Sequence, residues 1–225
     1  MNLFPNWQKN LLFLVVYIFS GAALVIIVDG LQTGTELTPF NTTIESAILT
    51  IRTPGLTRFF LDITNWGNPV VLGFLAVFAA ILLLLKRETY DAMLYIVSMT
   101  LSYASFFIMK NLFQFTRPGT VLTDISGWSF PSGHATIATA FFFATAYSFF
   151  DWPRRPIMKT LLVAACAAGA ALISFSRLYL GAHWSLDILA GVALGLLTVS
   201  FTALVFNIFI ERDDFLRIRK KSVIQ

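Results

Sequence analysis

Charged residues are scarce in this chain of 225 residues. Asp, Glu, Lys and Arg together make up 12% of it and hydrophobic residues make up 57%, whereas a soluble domain carries roughly a quarter charged residues. Most of the molecular surface is therefore expected to face lipid rather than water. Cys166 is the only cysteine, which excludes a disulfide bond within the chain.

Six long apolar runs contain no charged residue, and a membrane span needs about 20 mostly apolar residues. The runs cover Leu11–Val28, Val70–Leu85, Ala92–Met109, Ala135–Phe150, Thr160–Phe175 and Ile188–Ile210. They do not alternate apolar and polar residues as barrel strands would. The sequence therefore predicts an all-α polytopic membrane protein with six transmembrane helices in one domain, residues 1–225. The first run could be a signal peptide, but its length favours a retained helix.

The distribution of Lys and Arg indicates the orientation in the membrane, because cytoplasmic segments carry most of these residues. With the N-terminus inside, the outer segments hold five of the 16 Lys and Arg residues, Arg52, Arg58, Lys110, Arg117 and Arg177. Both termini are therefore expected in the cytoplasm of a cell whose plasma (inner) membrane holds the chain. The basic tail Arg212–Lys221 is expected to contact anionic membrane lipids, and no nucleic-acid partner is expected.

A long segment, Asp29–Pro69, separates the first two runs on the outer side. Apolar residues recur there at helical spacing in two stretches, interrupted by Pro54, and Thr42 and Glu45 have the spacing of a capping box. We expect two short amphipathic helices in this segment. They either lie on the outer membrane surface or form a cap that packs on the bundle.

Three clusters of polar residues lie at the predicted outer ends of helices. They are Lys110 with Arg117 and Pro118, then Pro131-Ser132-Gly133-His134, then Ser176-Arg177 with His183 and Asp187. The only two histidines of the chain belong to these clusters. Each residue alone has a structural explanation, such as a helix cap or an interfacial cation. Together, at one face of a chain so poor in charge, they are candidates for function.

The residue types in the clusters suit a phosphate group. Guanidinium groups bind phosphate oxygens in pairs, and the Ser132-Gly133-His134 helix start offers free N–H groups and a positive dipole end. His183 and Asp187 are four residues apart, so on a helix they would share a face. The carboxylate could then hold the imidazole in the tautomer whose other nitrogen is free to attack phosphorus.

The clusters resemble the three signature motifs of the type 2 phosphatidic acid phosphatase superfamily. The first is Lys110, six residues, then Arg117-Pro118; the second is Pro131 to His134; the third is Ser176-Arg177, five residues, His183, three residues and Asp187. All signature positions match, in residues 110–187. The stretch from Arg52 to Thr64 resembles the family more weakly.

The resemblance implies a role for each residue of the motifs. His183 would be the nucleophile that forms a phosphohistidine, and Asp187 would orient it. His134 would be the general acid and then the base for water. The phosphoryl oxygens would be held by Lys110, Arg117, Ser132, Gly133 and Arg177. No metal and no other cofactor is implied, because cations and a helix end take over the charge stabilisation that phosphoryl transfer needs.

The function expected from the sequence is hydrolysis of a lipid phosphate, such as phosphatidic acid, undecaprenyl pyrophosphate, phosphatidylglycerol phosphate or a lipid A phosphate. A lipid phosphotransferase would use the same residues and stays open. A phosphatase for soluble substrates, resembling glucose-6-phosphatase, and a vanadium haloperoxidase are less favoured. A catalytically idle lipid-binding or transport protein is a further alternative, although both histidines are retained. The sequence does not indicate the oligomeric state.

Overall fold

The computed structural model of the chain describes residues 7–34, 37–122 and 126–222, with side chains except at 37, 38 and 209–222. This part of the chain forms helices and no strands. The helices are α1 (Trp7–Thr33), α2 (Leu37–Thr50), α3 (Pro54–Trp66), α4 (Pro69–Leu85), α5 (Thr89–Phe113), α6 (Gly133–Ser148), α7 (Pro156–Tyr179) and α8 (Ser185–Ser222). The side chains of the basic tail Arg212–Lys221 lie outside the described residues.

Four helices, α1, α5, α7 and α8, are long and apolar enough to cross a membrane. Helices α3 and α4 pass the same test together but are bent by 46° where they meet, which makes five spans if the pair counts as one. Each of the six apolar runs lies in a different helix, although α6, with 16 residues, is short for a span. The chain is an all-helical multi-pass membrane protein, and the count of six spans stays a prediction.

Proline and polar caps determine where several helices begin. Pro54 and Pro69 each start a helix, where the missing N–H of proline is not needed. The hydroxyl of Thr53 accepts a hydrogen bond from the N–H of Leu56, and the side chain of Asn68 accepts one from Val70. Such caps satisfy N–H groups that the helix leaves free at its first turn.

The exterior of the bundle carries large apolar side chains that no other part of the described chain covers. Phe74 on α4 is 74% exposed and Phe19 on α1 is 72% exposed. In a soluble protein, a surface of this kind would mark a site of association. Here the hydrocarbon of the membrane is the solvent for these side chains, which agrees with the scarcity of charge in the sequence.

Helix α6 lies in the middle of the bundle and packs against α4, α5, α7 and α8. Two glycines of α8 let it approach α6 closely. A Cβ atom at Gly191 would lie 2.8 Å from the carbonyl oxygen of Ser132, and one at Gly195 would lie 2.6 Å from that of Thr136. Small residues four apart are a common means of close helix contact in membranes. The start of α6 is thereby held against the first turns of α8.

Residues 29–69 include two helices, α2 and α3, while their position at the outer face stays a prediction. Ile48 of α2 and Phe60 of α3 are buried against Tyr179 and Leu180 at the end of α7. These contacts favour the cap that packs on the bundle over helices that lie only on the membrane surface. The proposed capping box is wrong, because α2 begins at Leu37 and the hydroxyl of Thr42, inside the helix, donates to the carbonyl of Pro39.

Candidate active site

The three polar clusters meet at one end of the bundle. The ends of α5 and α7 and the starts of α6 and α8 lie side by side there, with the loop that follows α5. Lys110 lies close enough to Arg117, Arg177 and Asp187 for their charges to interact with its ammonium group. His134 lies close enough to His183 for the two rings to interact electrostatically. The structure therefore brings together all three motifs, which are separated by up to 77 residues between Lys110 and Asp187.

The second motif forms the start of α6. Ser132 is the N-cap, and its hydroxyl accepts a hydrogen bond from the N–H of Ala135. The N–H of Ser132 donates to the carbonyl oxygen of Asp187 at 3.1 Å, so the second and third motifs are joined through the backbone. Gly133 begins the helix with its N–H at the positive end of the dipole, where an anion is favoured.

His183 and Asp187 are both buried, with 3% and 2% of their surfaces exposed. Nδ1 of His183 lies 3.5 Å from Oδ2 of Asp187, longer than an ordinary N–H···O hydrogen bond, and it has no hydrogen-bond partner among the described residues. Catalytic hydrogen bonds are often this long before substrate binds. The two residues do not share a helix face as expected, because His183 lies in the turn before α8 begins at Ser185.

Arg117 faces the other nitrogen of the same imidazole. Its Nη1 atom lies 3.3 Å from Nε2 of His183 and also donates to the carbonyl oxygen of Ala182 at 2.6 Å. A guanidinium can only donate, so Nε2 presents its lone pair and Nδ1 carries the hydrogen toward Asp187. The remaining N–H groups of Arg117 donate to the carbonyl oxygens of Ser126, Gly127 and Trp128. Arg117 thus holds its own loop and the His183 turn together.

Arg177 is the most enclosed cation of the site, with 4% of its surface exposed. Nη1 donates to the hydroxyl of Thr64 at 2.8 Å, while Nε is buried without a hydrogen-bond partner among the described residues. A buried charge needs partners to offset the loss of hydration. An anion placed at this site would supply them.

The environment of His183 keeps its ring neutral. Burial lowers the pKa of His183 to about 4, although the adjacent Asp187 carboxylate acts in the opposite direction and Arg117 adds to the lowering. A neutral imidazole with a free lone pair on Nε2 is the form that can attack phosphorus. Burial also lowers the pKa of Arg117 from its usual value. Around this imidazole stand three cations and one carboxylate, an excess of positive charge that suits a phosphate dianion.

Several residues that complete the site were not recognised in the sequence as site residues. Ser129 donates a hydrogen bond from its hydroxyl to Oδ2 of Asp187, and the N–H of Trp184 donates to the same oxygen at 2.9 Å. Asn41 of α2 accepts from the N–H of Leu186 and so caps α8 from a distance. Among the described residues, no group of three or more His, Cys, Asp or Glu side chains could hold a metal ion.

The comparison with protein families agrees with this geometry. Residues 91–211, more than half of the chain and most of the site, match the model of the PAP2 superfamily. The chain belongs to the PAP2 superfamily. The resemblance that the three motifs indicated is thereby confirmed.

Two curated PAP2 relatives are similar to the chain. It is 30% identical over 158 residues to phosphatidylglycerophosphatase B of Bacillus subtilis, covering 68% of the chain and 77% of the relative. It is 32% identical over 104 residues to an undecaprenyl-diphosphatase of Sulfolobus acidocaldarius, covering 45% and 46%. The relatives are phosphatases, and the PAP2 chain is an enzyme of the same class.

A solved structure shares the PAP2 fold. The crystal structure of a transmembrane PAP2-type phosphatidylglycerolphosphate phosphatase from Bacillus subtilis matches with a TM-score of 0.73 and 24% identity. The match covers 85% of the chain and 94% of that protein. This similarity supports the arrangement of helices described above.

Proposed function

We propose that the chain removes a phosphate group from a lipid through a phosphohistidine intermediate, without a metal ion. The observation that carries the proposal is the placement of His183, whose two ring nitrogens face Asp187 and Arg117. This arrangement defines a nucleophilic nitrogen beside a cation, at the positive start of α6. The relatives' names supply the substrate class, since they describe action on lipid phosphate and diphosphate groups.

In the first step, Nε2 of His183 attacks phosphorus and forms a nitrogen–phosphorus bond while the bond from phosphorus to the leaving oxygen breaks. His134 gives a proton to that oxygen, so an alcohol or a phosphorylated lipid leaves without charge building up on it. Asp187 stabilises the imidazolium character that develops on His183. Lys110 and Arg177 and the N–H groups at the start of α6 bind the phosphoryl oxygens.

In the second step, His134, now neutral, accepts a proton from water as the water oxygen attacks phosphorus. The nitrogen–phosphorus bond breaks, its electron pair returns to Nε2 of His183, and inorganic phosphate leaves. Arg117 has a double role in this scheme. The same Nη1 atom that faces Nε2 in the structure would turn to the phosphoryl oxygens, while its other N–H groups keep the loop in place.

The proposed arrangement in the membrane has six spans, a single domain over residues 1–225, and the site at the outer face of the plasma membrane. Helix α6 would be about 24 Å long at a rise of ~1.5 Å per residue, shorter than the ~30 Å of hydrocarbon. Because α4, α5, α7 and α8 surround it, its ends need not reach the lipid boundary. The site at the helix ends lies at the depth of lipid phosphates.

A lipid substrate would present its phosphate at this depth while its chains stay in hydrocarbon. The deciding experiment measures phosphate release by the purified chain in mixed micelles with excess EDTA. The panel contains long-chain phosphatidic acid, phosphatidylglycerol phosphate and undecaprenyl pyrophosphate beside glycerol 3-phosphate and glucose 6-phosphate. We expect kcat/KM at least about tenfold higher for the lipids, because binding of the chains raises the local concentration of the phosphate.

Three results would contradict parts of the proposal. Equal efficiency on the soluble phosphates would remove the lipid assignment but keep the phosphatase. Loss of activity in EDTA that magnesium restores would remove the metal-free mechanism. Turnover by His183→Gln, which keeps a polar side chain of similar reach but cannot form the phosphoenzyme, would remove the nucleophile. A trapped phosphoenzyme that is stable in base and labile in acid would support it.

A further inference from the structure

Thr64, near the end of α3, contacts two residues of the site through two different groups. Its hydroxyl accepts the hydrogen bond from Nη1 of Arg177 at 2.8 Å. Its backbone interacts with the imidazole of His134. Thr64 itself is buried, with 4% of its surface exposed. One residue of α3 therefore contacts both the second and the third motif.

The backbone contact determines which nitrogen of His134 can exchange a proton. Inside α3 the N–H groups are used by the helix, so the carbonyl oxygen of Thr64 is the group that meets the ring, and a carbonyl only accepts. The ring nitrogen that faces Thr64 must then keep its hydrogen in both protonation states. Only the opposite nitrogen gains and loses a proton. Thr64 would hold His134 in one tautomer, as Asp187 does for His183.

The hydroxyl contact orients the guanidinium of Arg177. This side chain is enclosed, its Nε has no partner among the described residues, and its Nη1 donates to the hydroxyl of Thr64. The planar guanidinium binds phosphate best when its fork is fixed in advance. A hydrogen bond at Nη1 leaves the remaining N–H groups of the guanidinium available to bind phosphate oxygens.

The position of α3 makes this double contact possible. The helix starts at the Thr53 cap, and the N–H of Thr53 donates to the hydroxyl oxygen of Tyr179 on α7 at 2.9 Å. At its other end Gly67 packs so close to Ile173 of α7 that a Cβ atom would lie 2.6 Å from that side chain. Both ends of α3 are thus attached to α7, the helix that carries Arg177.

We propose that Thr64 is a positioning residue, which holds His134 in the tautomer needed for acid–base catalysis and fixes Arg177 for phosphate binding. The roles of His134 and Arg177 rest on the proposed function above. Thr64 acts through these two side chains and contacts no reacting atom. The inference makes separate predictions for its hydroxyl and for its carbonyl.

The hydroxyl is tested with Thr64→Val, which keeps the branched shape and removes the oxygen, and with Thr64→Ser, which keeps the oxygen. Thr57→Val, seven residues earlier on the same helix and half-buried, is the matched control. Binding of inorganic phosphate and of vanadate is measured by calorimetry on the full chain in detergent. We expect Thr64→Val to weaken binding about tenfold, since a hydrogen bond to a charged group is lost. Thr64→Ser should recover most of the affinity, and Thr57→Val should bind as the unaltered chain does.

The carbonyl is tested without any change at Thr64. The chain has two histidines, so His183→Gln leaves His134 as the only one. Nitrogen NMR of ring-labelled histidine then reports its tautomer directly, provided that the purification tag contains no histidine. We expect one tautomer at neutral pH. A mixture of both tautomers would overturn the carbonyl role.

Equal phosphate affinity in Thr64→Val and the unaltered chain would overturn the hydroxyl role. So would a loss that Thr64→Ser fails to recover or that Thr57→Val shares. These measurements use inorganic phosphate and the imidazole itself, so they stand even if the chain hydrolyses no lipid. Failure of the proposed function would appear instead as absence of lipid turnover in the unaltered chain, with phosphate binding still dependent on Thr64.

Discussion

The hydroxyl of Ser129 donates a hydrogen bond to Oδ2 of Asp187, the same oxygen that faces Nδ1 of His183. Ser129 is fully buried, and its N–H donates to the carbonyl oxygen of Phe115 at 2.7 Å. The loop that carries Arg117 is therefore connected through Ser129 to the carboxylate beside His183. Charge-assisted hydrogen bonds of this kind are about twice as strong as neutral ones, and they hold a carboxylate in one orientation.

Ser129→Ala is expected to lower kcat about ten- to a hundredfold, which corresponds to the loss of a buried hydrogen bond to a charged group. KM should change less, because the Ser129 hydroxyl binds Asp187, which is not proposed to bind the phosphate. The measurement is steady-state phosphate release from a long-chain lipid phosphate. Ser46→Ala, which removes an exposed hydroxyl on α2, is the control and should leave kcat unchanged. A Ser129→Ala chain with full kcat would show that Asp187 needs no such support.

The helices were predictable because lipid requires long uncharged runs, and each of the six runs lies in its own helix. The motif residues were predictable because they sit at helix ends, where the spacing along the chain is local. The contacts of Ser129, Asn41 and Thr64 were not predictable in this way. Each joins segments far apart in sequence. In the sequence, a single Ser, Asn or Thr that makes a tertiary contact cannot be told apart from one that caps a helix.

Two local predictions failed for reasons that are also local. The shared helix face of His183 and Asp187 assumed a continuous helix, but Gly181 adopts a positive φ of 68° and α8 begins only at Ser185. The turn before α8, rather than a continuous helix, brings the side chain of His183 close to that of Asp187. The capping box at Thr42 and Glu45 matched by spacing alone. In the structure Glu45 accepts a hydrogen bond from the hydroxyl of Thr120, near the Arg117 loop, so the glutamate serves a tertiary contact.

The stability of the chain should fall with decreasing pH partly because of His183. The unfolded chain takes up this proton near the ordinary pKa of 6.5, whereas the folded chain resists it down to about 4. Between these values the unfolded state binds more protons, so stability is lost as the pH falls, by up to about 1.4 kcal/mol per pH unit. His183→Gln cannot take up the proton. Its melting temperature in detergent should therefore fall less than that of the unaltered chain between pH 6.5 and pH 4. Parallel curves for the two chains would contradict the lowered pKa.

Gly191→Ala should damage both stability and activity, because the added Cβ would lie 2.8 Å from the carbonyl oxygen of Ser132 and 2.9 Å from Cβ of Ala135. Overpacking of this kind costs about 1–3 kcal/mol, and the shift it forces displaces the start of α6. We expect a lower melting temperature and weaker phosphate binding together. Gly55→Ala on α3 has nothing within 4 Å of the added atom and is the control, with no loss expected in either measurement.

The proposed orientation predicts which segments of the chain an impermeant thiol reagent can reach from outside the cell. Cys166, the only native cysteine, is buried, and Cys166→Ala provides a background without thiols. In that background Thr33→Cys, at the exposed end of α1, should be labelled on intact protoplasts, while Arg154→Cys, in the loop before α7, should be labelled only after lysis. The physical reason is the excess of Lys and Arg expected on the cytoplasmic side. Labelling of Arg154→Cys but not of Thr33→Cys on intact protoplasts would invert the chain and place the phosphate site in the cytoplasm.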